Sequence, residues 1–381
     1  MYNWGSTAVM EINRRRLIQL LAGAPLLAAL PAPAQSPDEI LIASAADDIH
    51  GGHWLIVMTD MGETRVRHPL PDRAHHVAAH PSEPLVAVVA RRPGYYIDLV
   101  DYRKGGRVSR IKPQPGRHFY GHAIFTSDGD ALLVTEMDIE TGQGRVTRYS
   151  VSGSGNMPIT DFPSYGVGPH ELLLTPDQST VIVANGGILT DGRDKLNIET
   201  MKPSLAYIDL ASGQLLEQRF LDPEEHQLSI RHMDVNAAGT VILALQYQGD
   251  ASDDKPLVAV HRRGEAIKLM PAPPAINREM AQYCGSARFD RSGHVAAVSA
   301  PRGDLITFWD IKEDRFLTSL TASDGCGLAA TTEDGCFIAS TGRGRCYALY
   351  PLEDYREPLM LPPMLSDLAW DNHLALFSSL A

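Results

Sequence analysis

The sequence predicts an all-β protein, a seven-bladed β-propeller closed by pairing of the C-terminal strand with the N-terminal blade, and three observations carry that expectation. An apolar strand running into a polar turn recurs seven times along the chain. The turns return every ~40 to 60 residues, the period of a four-stranded propeller blade. Short β-branched strands bounded by Asp, Gly and Pro are frequent, whereas amphipathic helical stretches are nearly absent after residue 36.

The copies run in order. Ala74-His75-His76-Val77 leads into Pro81-Ser82, Gly121-His122-Ala123-Ile124 into Ser127-Asp128-Gly129, and Pro169-His170-Glu171-Leu172 into Pro176-Asp177. Arg231-His232-Met233 leads to Gly239. Two later copies open on cysteine, Cys284-Gly285 running to Ser292-Gly293 and Cys326-Gly327 to Asp334-Gly335. Inner strands are therefore expected near 74–80, 121–127, 169–175, 230–236, 284–290, 325–332 and 366–371. Residues 39–70 hold only outer strands, Ile40 to Ala45, His53 to Thr59 and Thr64 to Leu70. Leu365 to Asp371 is expected to supply the missing inner strand, which would leave no long sheet edge exposed.

No Ser-, Gly- or Pro-rich linker divides the 381 residues, and 44% of them are hydrophobic, so residues 35–381 read as a single propeller domain. Residues 1–34 differ in kind. Asn13-Arg14-Arg15-Arg16-Leu17-Ile18 precedes an apolar stretch to Leu30, and Ala32-Pro33-Ala34 offers a small-x-small cleavage site. The arginine pair before two apolar residues resembles a twin-arginine export signal, with a Sec signal or a membrane anchor as the alternatives, and a periplasmic mature chain is expected. No other segment reaches the ~18 apolar residues of a membrane helix, so no membrane span is expected after signal removal. The formal net charge is -12, and loss of residues 1–34 leaves the chain more acidic still. Nucleic acid is excluded as a partner on that balance. A monomer is expected.

All four cysteines lie in the last hundred residues, in a compartment that permits disulfides. Cys336 and Cys346 flank a hairpin and could face one another across it. Cys284 and Cys326 fall at equivalent points of neighbouring blades.

In a propeller the inner strands start on one face, and the loops between second and third strands end there too. Pooling those positions gathers His75, Lys195, Tyr247 and Tyr283 around a candidate ligand-binding set: Asp47, Asp48, Arg91, Arg92, Arg117, Tyr120, Glu171, Asn185, Arg231, Gln246 and Arg302. His76, His122, His170 and His232 recur in register and form a candidate metal set. Neutral imidazole suits a borderline ion, with iron and copper as the candidate cofactors. Ligands must lie ~2 Å from one ion, so the width of the channel decides how many of the four can share it. Alternatively, each His ties neighbouring blades by hydrogen bonds. The arginines match carboxylates and phosphates, or pair with Asp47, Asp48 and Glu136 in a structural network. No nucleophile elbow, His-Glu-x-x-His pair, phosphate loop or haem-attachment motif occurs, so no catalytic residue is assigned.

Several stretches resemble a known bacterial family, the domain of unknown function 1513. They include Gly116-Arg117-His118-Phe119-Tyr120-Gly121-His122, Gly166-Val167-Gly168-Pro169-His170-Glu171-Leu172, His226-Gln227-Leu228-Ser229-Ile230-Arg231-His232 and Trp370-Asp371-Asn372-His373. The resemblance covers nearly the whole mature chain and implies an exported propeller. Family members tend to be encoded near imelysin-like proteins and di-haem oxidoreductases, which implies periplasmic iron-uptake or redox proteins as partners. The function expected is thus a periplasmic metal- or small-anion-binding accessory protein linked to iron handling. A metal-dependent lactonase-like hydrolase and a protein-docking scaffold are the alternatives.

Overall fold

The computed structural model describes residues 39–151, 157–191 and 194–379, and within them seven four-stranded antiparallel sheets follow one another along the chain. The expected export segment, residues 1–34, lies outside the described residues. Six sheets begin with the inner strands Ala74–Ala79, Arg117–Phe125, Pro169–Leu174, Leu228–Val235, Ser286–Phe289 and Gly325–Ala330. Numbered in this order, they are the first to sixth blades of the propeller. The seventh sheet combines Ile40–Asp47, His53–Thr59 and Thr64–Leu70 with the C-terminal strand Ala369–Ser378, so that Ile40 faces Ser378 and Asp47 faces Ala369. That strand starts later than the expected 366–371. Pro363 opens a short helical turn, Pro363–Ser366, because proline is suited to a first helical position and cannot donate to a sheet ladder.

The middle strands are buried on both faces and read accordingly as continuous apolar runs. Leu85–Ala90, Thr180–Asn185 and Val295–Ala300 are buried at every residue. Their side chains pack blade against blade. Val89, Ile97 and Leu99 meet Phe119, Leu132 and Val134 between the first and second blades. Ile42 and Ile56 meet Ala329 and Ile338 between the sixth and seventh. Each fully buried Val, Leu or Ile contributes about 1.5–3 kcal/mol.

One irregularity positions everything that follows. The ladder between inner and second strand slips at Ala74/His76, Phe119/Ala123, Pro169/Glu171, Ile230/His232 and Gly325/Leu328, and again between Trp370 and Leu374. In a regular strand, successive side chains alternate between faces. A bulge adds an unpaired residue and breaks that alternation, so neighbours such as His75 and His76 can both point at the propeller axis.

Candidate functional site: an axial histidine cluster beneath a cationic cavity

Six buried histidines meet on the axis: His75, His76, His122, His170, His232 and His373. Their ring centroids stand 4.7 Å apart for His76 and His122, 5.1 Å for His122 and His170, and 4.6 Å for His170 and His232. His373 lies 4.5 Å from His122 and 4.7 Å from His75. Gly121 makes this closeness possible. Its φ of +113° is one that L side chains rarely adopt, and a Cβ there would stand 2.9 Å from His75 Cδ2.

Most nitrogens of the cluster have no hydrogen-bond partner. Unpartnered are His75 Nε2, His76 Nδ1, both nitrogens of His122, His170 Nδ1 and both nitrogens of His373. A buried polar atom left unpaired costs about 1–3 kcal/mol. Among the described residues, no other part of the fold gathers such atoms in comparable density. By contrast His80, away from the cluster, donates from Nε2 to Gly129 O at 2.9 Å and accepts at Nδ1 from the Glu83 N–H.

Two buried carboxylates orient the cluster. Asp371 Oδ1 lies 3.0 Å from His75 Nδ1, and its Oδ2 accepts from Arg73 Nε at 2.7 Å. Burial alone would raise the Asp371 carboxyl, but His75 and Arg73 hold it down at about 2. Glu171 Oε2 accepts from the Met233 N–H at 2.9 Å and stands 3.3 Å from His232 Nδ1. Burial would raise this carboxyl too, and the His232 contact and Arg288 bring it below its usual range. Burial lowers His76 to about 3 and His232 to about 4, and holds His122, His170 and His373 well below the ordinary histidine range. These rings are neutral at pH 7, the form that ligates metals. Three groups each bring ligand atoms within 4.8 Å of one another: His75, His170 and His232; His75, His122 and His373; and His76, His122 and Glu171.

A cavity of about 290 Å³ opens above the cluster, and His75, His170 and His232 are among its lining residues. Arg91, Arg92, Lys195, Arg231 and Arg302 line the same cavity, whereas among the described residues no aspartate or glutamate does. Arg231 is only 7% exposed, and its Nε bonds the Ser229 hydroxyl at 3.0 Å rather than a carboxylate. Burial and then Arg92 push its guanidinium down. Lys195 is lowered by burial and by Arg231, Arg302 and Arg92. Aromatic faces carry part of this charge, with Arg92 over Tyr120 at 5.3 Å and Arg302 over Tyr283 at 4.3 Å.

The residues proposed from sequence divide accordingly. Arg91, Arg92, Tyr120, Arg231, Gln246 and Arg302 line the cavity, while Glu171 belongs to the axial cluster beneath it. Four do not line it, because local partners take them. Asp47 meets His53 at 2.6 Å and Arg73 at 3.4 Å. Asp48 accepts from Trp54 Nε1 and from its own turn. Arg117 lies against Glu136 and Asp161 at 3.3 and 3.0 Å. Asn185 of the third blade bonds Ser164, in the connection from the second blade. His76, His122, His170 and His232 do meet at the axis, but His75 and His373 stand among them, and no single group of three contains only the four. Adjacent histidines at 75 and 76 in an otherwise alternating strand are the available signal of the bulge that brings His75 in. Nothing comparable marks His373. All four cysteines are free and buried, so Cys336 and Cys346 are not bridged.

A family model described as a protein of unknown function, DUF1513, matches residues 68–377. No curated protein matches the chain. Among solved structures, the chain is similar to the hydrazine synthase of Kuenenia stuttgartiensis, at TM-score 0.57 and 13% identity over 89% of this chain and 99% of that one. That likeness is one of fold alone.

Proposed function

Because the chain belongs to this family of proteins of unknown function, its role is read from the site, and we propose that it binds a divalent transition metal at His75, His170 and His232, together with a carboxylate-bearing anion in the cavity above. The observation that carries this reading is three imidazoles lining a cavity whose charged side chains, among the described residues, are all cationic. His75 and His232 direct Nδ1 at Asp371 and Glu171, which leaves Nε2 for an ion, and such a carboxylate behind the ring is the usual support of a ligating histidine. The guanidinium forks of Arg92, Arg231 and Arg302 match carboxylate oxygens.

The cargo we assign is iron or copper. The protein then acts as an exported, periplasmic accessory monomer that presents the ion to an iron-uptake or redox partner. The twin-arginine-like stretch in residues 1–34 supports export. A lactonase-like hydrolase finds less support, because its ion would favour oxygen ligands and no carboxylate among the described residues lines the cavity. A docking scaffold would not require unpartnered imidazoles.

Elemental analysis of untagged protein purified from its own periplasm tests the reading. Near-stoichiometric metal is expected, lost in a folded His170→Ala, His232→Ala double variant. Absence of metal, with no rise in melting temperature on adding iron, copper or zinc, would overturn it.

A further inference from the structure

Resting on that reading, the geometry points to a second metal position on the same axis, formed by His76, His122 and Glu171, so that the chain holds a dinuclear centre. This trio shares no residue with His75, His170 and His232, and both satisfy the same closeness of ligand atoms. The two can therefore be filled together. His373 lies between them, its ring centroid 4.5 Å from His122 and 4.8 Å from His232.

The lower position has its own chemistry. His122 is 1% exposed and neither of its nitrogens has a partner, and His76 Nδ1 is likewise unpaired. Glu171 Oε2 is committed to His232 and the Met233 N–H. Its Oε1 stands 3.8 Å from His122 Nδ1 and 3.5 Å from Arg288 Nη1, both beyond the ordinary N–H···O range. That oxygen and the two imidazoles form a nitrogen-and-oxygen ligand set of the kind iron, zinc and copper accept.

Access is separate as well. The upper trio meets the cationic cavity, whereas His76 lines a second cavity of about 360 Å³ with Asp234 and Arg288. Glu171 connects the positions, since one oxygen supports a ligand of the upper ion and the other would bind the lower. Its negative charge between two cations reduces their repulsion. Loading of one position is thus expected to change the affinity of the other.

The test is a titration of metal-stripped full-length protein with zinc, followed by equilibrium dialysis and metal analysis. The wild type is expected to hold two equivalents. Variants His76→Gln and Glu171→Gln are expected to hold one, as is His170→Ala with His232→Ala, which empties the upper position instead. Copper(II) supplies a second readout, because two nearby ions broaden the paramagnetic resonance spectrum and the single-site variants lose that broadening. One equivalent in the wild type, unchanged by His76→Gln and Glu171→Gln, would overturn the second position and leave the upper one standing. No bound metal in the wild type would overturn both.

Discussion

The blades that open on histidine and those that open on cysteine use one repeated position in opposite ways. Cys284 and Cys326 are buried, and each thiol finds acceptors. Cys284 Sγ donates to Leu257 O at 3.5 Å, and Cys326 Sγ approaches Trp370 O and Asp371 O at 3.4 Å. Burial pushes both thiols up, so they stay protonated and behave as small hydrophobic groups. At the corresponding places of the other blades, His122 and His170 keep unpartnered nitrogens in equally dry surroundings. The position in the repeat does not decide the role. The supply of protein partners does, and on the reading proposed above the axial imidazoles are the ones left for a ligand.

The comparison can be strained hardest at the group that orients the histidine side. Asp371 holds the His75 ring, and removing such a support from a metal ligand commonly costs 10–100-fold in affinity. Asp371→Asn is expected to weaken zinc binding by about that factor while the fold, read by circular dichroism, is retained. An affinity equal to wild type would mean that His75 is no ligand.

Much of this was legible beforehand, and the failures share one cause. The strand-to-turn repeat located the inner strands of the first six blades, since period and turn chemistry are local properties. Pooling strand starts and loop ends found Arg91, Arg92, Arg231 and Arg302 for the same reason. Register within the strands was not legible. A bulge inverts which face a residue serves, and His75 and His373 enter the cluster through bulges at Ala74/His76 and between Trp370 and Leu374. Nor could pooling know that Arg117 would meet Asp161 across the strands of one blade. Position in a repeat says where a side chain begins, while neighbours decide where it ends.

A smaller effect separates the axial histidines from one whose nitrogens are both engaged. His261 Nδ1 lies 2.7 Å from the Tyr207 hydroxyl and its Nε2 3.2 Å from Glu265 O. Burial lowers its pKa from 6.5, with Glu217 opposing. As pH falls, the unfolded chain binds this proton before the folded one does. The stabilisation from His261 is therefore complete above 6.5 and is lost progressively below it, toward the lower folded value. Denaturant midpoints of metal-free protein should fall between pH 7.5 and 5 with a slope that His261→Gln reduces by at most one proton, about 1.4 kcal/mol per pH unit. Identical slopes in the two proteins would show that His261 is protonated to the same degree folded and unfolded.

The smallest effect is the sharpest discriminator. If cysteine at the repeat position is only a buried apolar filler, Cys284→Ala should cost about 1 kcal/mol of stability from lost packing and leave metal stoichiometry untouched. Cys284 is 0% exposed, no metal-capable group among the described residues includes it, and its backbone N–H already bonds Leu245 O. Histidine substitutions at the axis should do the reverse, removing metal while relieving unpaired nitrogens. Stability and stoichiometry measured together therefore place each blade on one side of the comparison. A Cys284→Ala protein that loses an equivalent of metal would move the fifth blade to the histidine side and extend the centre around the ring.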